Sequence, residues 1–155
     1  MWALRHDGDA VTRTAAACIL ANFPDSDLVY WELADALTDA NGMVSDFAQR
    51  SMKALSQARS RTVDWGPATP VLRRLLDGTN LFAFETIVEV LHETRVAPEL
   101  AKQLVGGDGG GTMLLASARA VEPTTRTRAR RLLQHLSGRD HGEDWAAWQA
   151  WMRAL

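Results

Sequence analysis

Apolar residues recur at helical spacing along almost the whole chain, in segments too short to enclose a core of their own. Val11, Ala15, Cys18, Ile19 and Asn22 predict one helix, and Leu28, Val29, Trp31, Leu33, Ala34, Ala36 and Leu37 predict a second that is apolar on two faces. Val44, Phe47, Ala48, Ser51, Met52 and Leu55 form a third stripe. Further stripes run through Ala68–Leu76, Leu81–Leu91, Leu100–Val105, Met113–Val121, Ala129–Leu136 and Trp145–Met152. Breaks separate them at Pro24-Asp25-Ser26-Asp27, where an N-cap is expected, and at Asn41-Gly42, Trp65-Gly66-Pro67 and Gly78-Thr79-Asn80. Pro98 and Pro123 stand near helix starts, and Ser137-Gly138 ends a helix. No run of β-branched residues alternates with a period of two, so no strand is expected. The prediction is an all-α chain of about nine short helices joined by short connections.

A shift of 33 residues lays one part of the sequence on another. Ala3-Leu4 falls on Ala36-Leu37, Val11 on Val44, Ala15 on Ala48 and Cys18-Ile19 on Ser51-Met52. At a shift of 38, Leu75, Phe82, Thr86 and Val90 follow the same frame more loosely. Paired helices repeated at this spacing predict an α-solenoid of stacked antiparallel helix pairs, four to five in number, in which each pair supplies part of its neighbour's interior. The matching small residues Ala15 and Ala48 are expected where two helices approach closely.

Ala36-Leu37-Thr38-Asp39, followed by Val44 and Ala48, resembles the HEAT-repeat consensus and the short HEAT-like repeats of the phycobilisome-lyase type. Ser45 and Thr12 stand where that pattern has Arg, and His6 where it has Asp. The ending Leu136-Ser137-Gly138 with its acidic-glycine segment and Trp145, Trp148 and Trp151 is similar to the close of many bacterial HEAT-repeat proteins. The resemblance implies a right-handed HEAT-like superhelix over residues 1–155 as a single domain. By the 33-residue frame the N-terminal repeat is expected to be incomplete, as in a fragment of a longer array or at an open edge, and the spacing of Trp145, Trp148 and Trp151 predicts that residues 144–155 form a C-terminal capping helix. An incomplete first pair would leave Trp2, Leu4 and Ile19 partly uncovered and open to self-association or to a partner.

Several chemistries lack their residues. Gly106-Gly107-Asp108-Gly109-Gly110-Gly111-Thr112 echoes a phosphate loop but has no Lys before the Thr and no preceding strand, so it is expected to be a flexible connection. His92-Glu93 has Val96 where a second zinc ligand would stand. His135, Asp140 and His141 straddle a turn, with His135 expected at a helix C-terminus rather than on a metal. Cys18 falls on an apolar stripe, where burial is expected, and as the lone cysteine it has no disulfide partner in the chain. Catalytic, cofactor and metal residues are therefore set at none.

Charge is arranged in blocks beneath a formal total of −2. Residues 1–48 carry two basic and eight acidic side chains, 49–77 six basic and two acidic, and 119–139 six basic and one acidic. Arg126, Arg128, Arg130 and Arg131 form the densest basic cluster, yet Asp46, Glu85, Glu89 and Glu93 oppose the continuous basic groove that HEAT-like DNA glycosylases use. Membrane insertion has no support, because no apolar run nears the roughly 20 residues needed to span a bilayer. Met1 to Ala10 lacks an apolar signal core, so a cytoplasmic setting is expected. The expected function is a non-catalytic protein–protein interaction module whose partner is another protein or peptide. Arg13, Asp46, Arg50, Lys53, Glu85 and Glu89 are expected on its concave face. Two alternatives remain: a lyase- or chaperone-like HEAT protein, marked by a pocket around Asp35, Asp39 or His92, and a nucleic-acid binder.

Overall fold

The computed structural model describes residues 1–58, 61–106 and 110–155. Among them no strand occurs. The chain forms α1 (Trp2–His6), α2 (Ala10–Leu20), α3 (Asp27–Ala36), α4 (Gly42–Ala58), α5 (Thr69–Leu76), α6 (Leu81–Glu93), α7 (Ala101–Val105), α8 (Gly110–Ala118), α9 (Pro123–Ser137) and α10 (Trp145–Arg153). Short 3-10 turns at Gly66–Ala68 and Pro98–Leu100 lead into α5 and α7.

Local chemistry sets these boundaries. The first backbone N–H groups of a helix have no partner within it, and side-chain acceptors supply one. The Asp9 carboxylate accepts from Val11 and Thr12 at the start of α2, Asn80 from Ala83 at the start of α6, and Asp144 from Ala147 at the start of α10. Glu122 accepts from Thr124 and Thr125 ahead of α9, and these two bonds pull its carboxyl down to about 2. Ser26 precedes α3 but makes no capping bond. Asp27 beside it is turned instead toward Arg61 and the N–H of Asp64. At the end of α6, Arg95 takes a left-handed backbone (φ 50), so that Arg95 N–H reaches His92 O and Val96 N–H reaches Leu91 O. Val96 then packs down beside Leu91, both fully buried.

Two rows of helices share one core. Along one row α2 packs on α4, α4 on α6 and α6 on α9. Along the other α1 packs on α3, α3 on α5, and α5 on both α7 and α8. Sequential helices cross between the rows, as α1 on α2, α3 on α4, α5 on α6 and α8 on α9. The buried cluster runs from Leu4 to Trp148 without a gap. α3 is covered on both faces by Val29, Tyr30, Leu33, Ala34 and Ala36, as its double stripe predicts. Residues Asp64 and Trp65 of the connection leading to α5 are tied to two helices. Trp31 Nε1 donates to Asp64 O (2.9 Å), and the fully buried Trp65 donates its indole N–H to Thr94 Oγ1 (2.9 Å) on α6's last turn. Asp27 and Thr94 lie far apart in sequence, so this connection joins α3 to α6, through exposed bonds on the α3 side and a buried one at Thr94, where no water can substitute.

Four expectations are corrected. Most of the stripe assigned to the interior of α2 faces outward: Val11 is 68% exposed, Ala15 is exposed and Cys18 is only half-buried, while Ile19 is 58% exposed, in keeping with its expected partial uncovering. Its buried face is Thr14, Ala17 and Leu20. Thr14, not Ala15, corresponds in burial to Ala48, and Ala48 corresponds to Ile87, so the frame of the second helices slips by one residue from the apparent shifts of 33 and 38. The reason is that α2 is rich in alanine, and an apolar tally cannot choose between neighbouring faces when both carry small residues. Leu4 is not uncovered but 3% exposed, because α1 lies against both α2 and α3. Val121 is 92% exposed, since α8 ends at Ala118 ahead of the extended backbone that Glu122 adopts before Pro123. In the glycine-rich stretch, 107–109 lies outside the described residues. A Cβ on Gly110 would stand 2.4 Å from Leu104 O, and one on Gly111 2.2 Å from Val105 O. These glycines let the start of α8 press onto the last carbonyls of α7, a packing requirement rather than free connection.

Two substitutions test this packing. Trp65→Ala is expected to lower unfolding free energy by about 3–5 kcal/mol, read from the urea midpoint at constant slope. Arg95→Gly is expected to raise it by about 0.5–1 kcal/mol, because glycine takes the left-handed backbone without the Cβ penalty. The same denaturation series reads both.

Candidate functional site

The row α2–α4–α6–α9 carries the residues expected to meet a partner, and the structure gives each an intramolecular partner. Arg13 sits on α2 and reaches the turn after α3. Its Nε and Nη2 donate to the two Asp39 carboxylate oxygens at 2.9 and 3.0 Å, and its Nη1 donates to Asp7 O at 2.8 Å. Both side chains are largely covered, at 16% and 14% exposure. The fork of the guanidinium matches the carboxylate, which makes this a clamp between α2 and the α3–α4 turn. Asp46 and Arg50 pair along α4 at 2.8 Å and remain exposed, with Arg50 also lying over the Phe47 ring. Glu89 on α6 stands between Lys53 of α4 (3.6 Å) and Arg128 of α9 (3.2 Å), a three-helix ion cluster. Glu85 accepts from Thr125 Oγ1 (3.0 Å) at the start of α9, and Gln49 Nε2 donates to Thr86 Oγ1 (2.7 Å). Neighbouring helices of this row are thus laced by polar contacts along the very positions that sequence periodicity leaves unburied.

The charge blocks find the same explanation. Arg61 pairs with Asp27, and Arg74 with Asp35 (2.6 Å), so the basic block 49–77 meets the acidic block 1–48. Arg5 pairs with the buried Glu32 (2.7 Å) within the acidic block. Oppositely charged blocks thus neutralise one another between helices. The length of the side chains involved hides this pairing from a reading of sequence alone.

The pockets do not assemble a reacting centre around the acids and imidazoles singled out earlier. Asp35 and Asp39 border an open groove of about 320 Å³ with Arg5, Glu32, Thr38 and Arg74. Hydrogen bonds from Arg13, reinforced by the Asn41 N–H and opposed by burial, hold the Asp39 carboxyl below the usual carboxylate range. It stays charged at neutral pH, which suits an ion pair and not a general acid. His92 meets Glu93 (3.4 Å) beside a cleft of only about 60 Å³, below the size of a small-molecule site. His135 Nε2 lies 2.7 Å from Val96 O, and the His141 ring meets Trp148 edge-on at 4.6 Å. The two imidazoles are therefore engaged separately, and no group of three His, Cys, Asp or Glu able to hold a metal occurs among the described residues. A wider cleft of about 730 Å³ between α8 and α10 is lined by Leu115, Ala116, Met152 and Leu155, with Arg119 and Arg153 as its charged groups.

The feature that periodicity misplaced is the outer face of α2. Val11, Ala15 and Ile19 stand exposed there, and Trp2 and Phe23 are exposed on either side in sequence. Asp7 and Asp9 stand at the N-terminal end of that helix. The Asp7 carboxylate accepts from Asp9 N–H, and the Asp9 carboxylate from Val11 and Thr12. The signal was present in the sequence as the Val11–Ala15–Ile19 stripe, but it marks a face that no other helix covers among the described residues. No helix among the described residues is long and apolar enough to cross a membrane.

No protein-family model matches the chain, and no curated protein matches it. A crystal structure of an engineered protein from the Northeast Structural Genomics Consortium superposes on 86% of this chain with a TM-score of 0.54 at 20% identity. The chain spans 60% of that structure's length. At such identity the likeness is one of fold.

The Arg13–Asp39 clamp makes a pH prediction. Because the Asp39 carboxyl is lowered in the folded chain, its contribution is present at neutral pH, outlasts the ordinary value of 3.8, and is lost as pH falls through the folded value. Asp39→Asn is expected to reduce the melting temperature at pH 7. The gap to the wild type is expected to close as the pH is taken below about 3.8. A gap of constant size down to the lowest pH would assign the loss to packing instead of charge.

Proposed function

We propose that this chain is a HEAT-like α-solenoid of stacked antiparallel helix pairs, acting as a non-catalytic protein-interaction module in the cytoplasm. The two helix rows and the recurrence of Thr14, Ala48 and Ile87 at matching buried positions support the architecture. The observation that carries the function is the outer face of α2. It presents Val11, Ala15 and Ile19 at the spacing of a packed helix, at the end of a row in which α4 and α6 are each covered on both sides. In a stacked array that is where the next helix belongs. The occupant is an amphipathic helix of another protein, apolar on one side and basic at the margin. The charge argues for this: the basic residues of the 1–48 block, Arg5 and Arg13, are committed to Glu32 and Asp39, while Asp7 and Asp9 bind backbone and hydroxyl groups and share only the field of Arg13 among the described residues, so this end of α2 stays acidic. A basic margin on the incoming helix complements them.

The test compares the wild-type chain with Val11→Glu/Ile19→Glu and with Asp46→Ala/Arg50→Ala. Positions 11 and 19 face solvent, so the first variant is expected to keep the wild-type melting temperature. Each is used to capture proteins from the native host, followed by zero-length carboxylate–amine coupling and mass spectrometry. The expected outcome is a partner bound by the wild type and by the α4 variant, lost with the α2 variant, and coupled through its lysines to Asp7 or Asp9. A partner that survives the α2 changes overturns the reading. So does a wild-type mass of two chains by light scattering that those changes reduce to one, since the face would then join copies of this protein.

A further inference from the structure

The end of the molecule opposite α2 holds a second feature, independent of that interaction face. Arg119 follows α8, Arg126 and Arg130 lie on α9, and Trp145 begins α10, and with Glu143 they line one cleft of about 340 Å³. Three guanidiniums around one cleft repel, so something must hold them together. The structure supplies two devices. The carbonyl groups at and just beyond the C-terminal end of α8 accept from the arginines: Arg126 Nη1 donates to Ala120 O (3.1 Å) and Val121 O (3.3 Å), and Arg130 Nε donates to Ala118 O (3.1 Å). Cations are favoured there by the helix dipole. The Trp145 ring supplies the other, with Arg119 Cζ 4.7 Å and Arg130 Cζ 5.3 Å from its centroid.

These restraints leave donors unused. The Arg119 guanidinium makes no hydrogen bond among the described residues, Arg126 commits only Nη1, and Arg130 keeps Nη1 after binding Ala118 and Glu143. The carboxylate in the cleft is Glu143, 3.3 Å from Arg130 and 82% exposed, a loosely held counter-ion that a stronger one displaces. The nearby Asp140 and Asp144 carboxylates are turned to the backbone N–H groups of Gly142 and Ala147. Three cations against one exposed carboxylate leave the cleft positively charged.

We propose that the Arg119–Arg126–Arg130–Trp145 cleft is a binding site for a phosphate dianion, either free or as the phosphomonoester of a phosphorylated side chain. Three forked guanidiniums lining one cleft suit a tetrahedral oxyanion better than a planar carboxylate, which one fork satisfies. The adjoining surface carries Glu143 and Asp140, so the site takes a single phosphate group and not a continuous nucleic-acid backbone.

Isothermal titration at low, constant ionic strength tests this with inorganic phosphate and with a phosphoserine peptide beside its unphosphorylated form. One saturable site is expected for phosphate, for the phosphopeptide, or for both, and none for the unphosphorylated peptide. The stronger of the two ligands identifies the source. Arg119→Ala is the first variant, because Arg119 holds no backbone group and its loss leaves the fold in place, as unchanged circular dichroism will verify. It is expected to weaken binding about tenfold, the worth of a charge-assisted hydrogen bond. Arg119→Lys is expected to recover only part of it. Arg131→Ala, one position beyond Arg130 but lining the separate cleft beside Glu93, is expected to leave binding unchanged. Absence of saturable binding overturns the proposal, as does an Arg131→Ala loss equal to that of Arg119→Ala, which would mean diffuse charge attraction.

Discussion

Every helix of this protein is too narrow to keep its own apolar surface dry, and that constraint organises the rest. α6 shows it most clearly. Ala83, Phe84, Thr86, Ile87, Val88, Val90 and Leu91 are all buried, on more sides than one neighbour covers. α4 takes one flank, α9 another, and α5 closes the side toward the second row. The hydrophobic gain from each of these contacts is non-directional. What sets position is the polar lacing that comes with it, such as Gln49 to Thr86 and Lys53 to Glu89 to Arg128.

The same division of labour explains the irregular connection before α5. A stretch that leaves α4 and must reach α5 buries Val63 and Trp65. Burying its backbone requires partners, and the structure finds them in Thr94 on one side and Asp27 on the other. The Trp65 indole therefore both fills volume and completes a hydrogen-bond chain, since Thr94 Oγ1 donates onward to Val90 O. At the other end of the chain Trp148 plays a similar part. It is fully buried, bonds Gly142 O through its indole (3.3 Å), and is flanked by the rings of His141 and Trp151.

The two outer surfaces differ in kind. Along the helix row the exposed charges are spent on neighbours, whereas the face of α2 offers hydrocarbon and the cleft at Trp145 offers unspent arginine donors. Neither of those features stands out in a tally of charge or hydropathy. The α2 face looks like an interior stripe, and Arg119 stands outside the dense cluster that holds Arg126 and Arg130, brought to it only where the end of α8 meets α9.

By itself the sequence determined that the described residues form helices and no strand, where most helices begin and end, and which residues of α3 through α6 and of α9 turn inward. Those properties follow from spacing, capping residues and proline, all local in the chain. Tertiary structure decided the rest. It turned inward the face of α2 that carries Thr14, Ala17 and Leu20 and left Val11 and Ile19 outside, because both faces of this alanine-rich helix carry apolar residues and only the neighbouring helices select one. It turned Gly110 and Gly111 into a helix contact, because only the approach of α7 reveals that a Cβ has no room. It paired Arg13 with Asp39 and Arg61 with Asp27, because long side chains reach partners that no spacing rule connects.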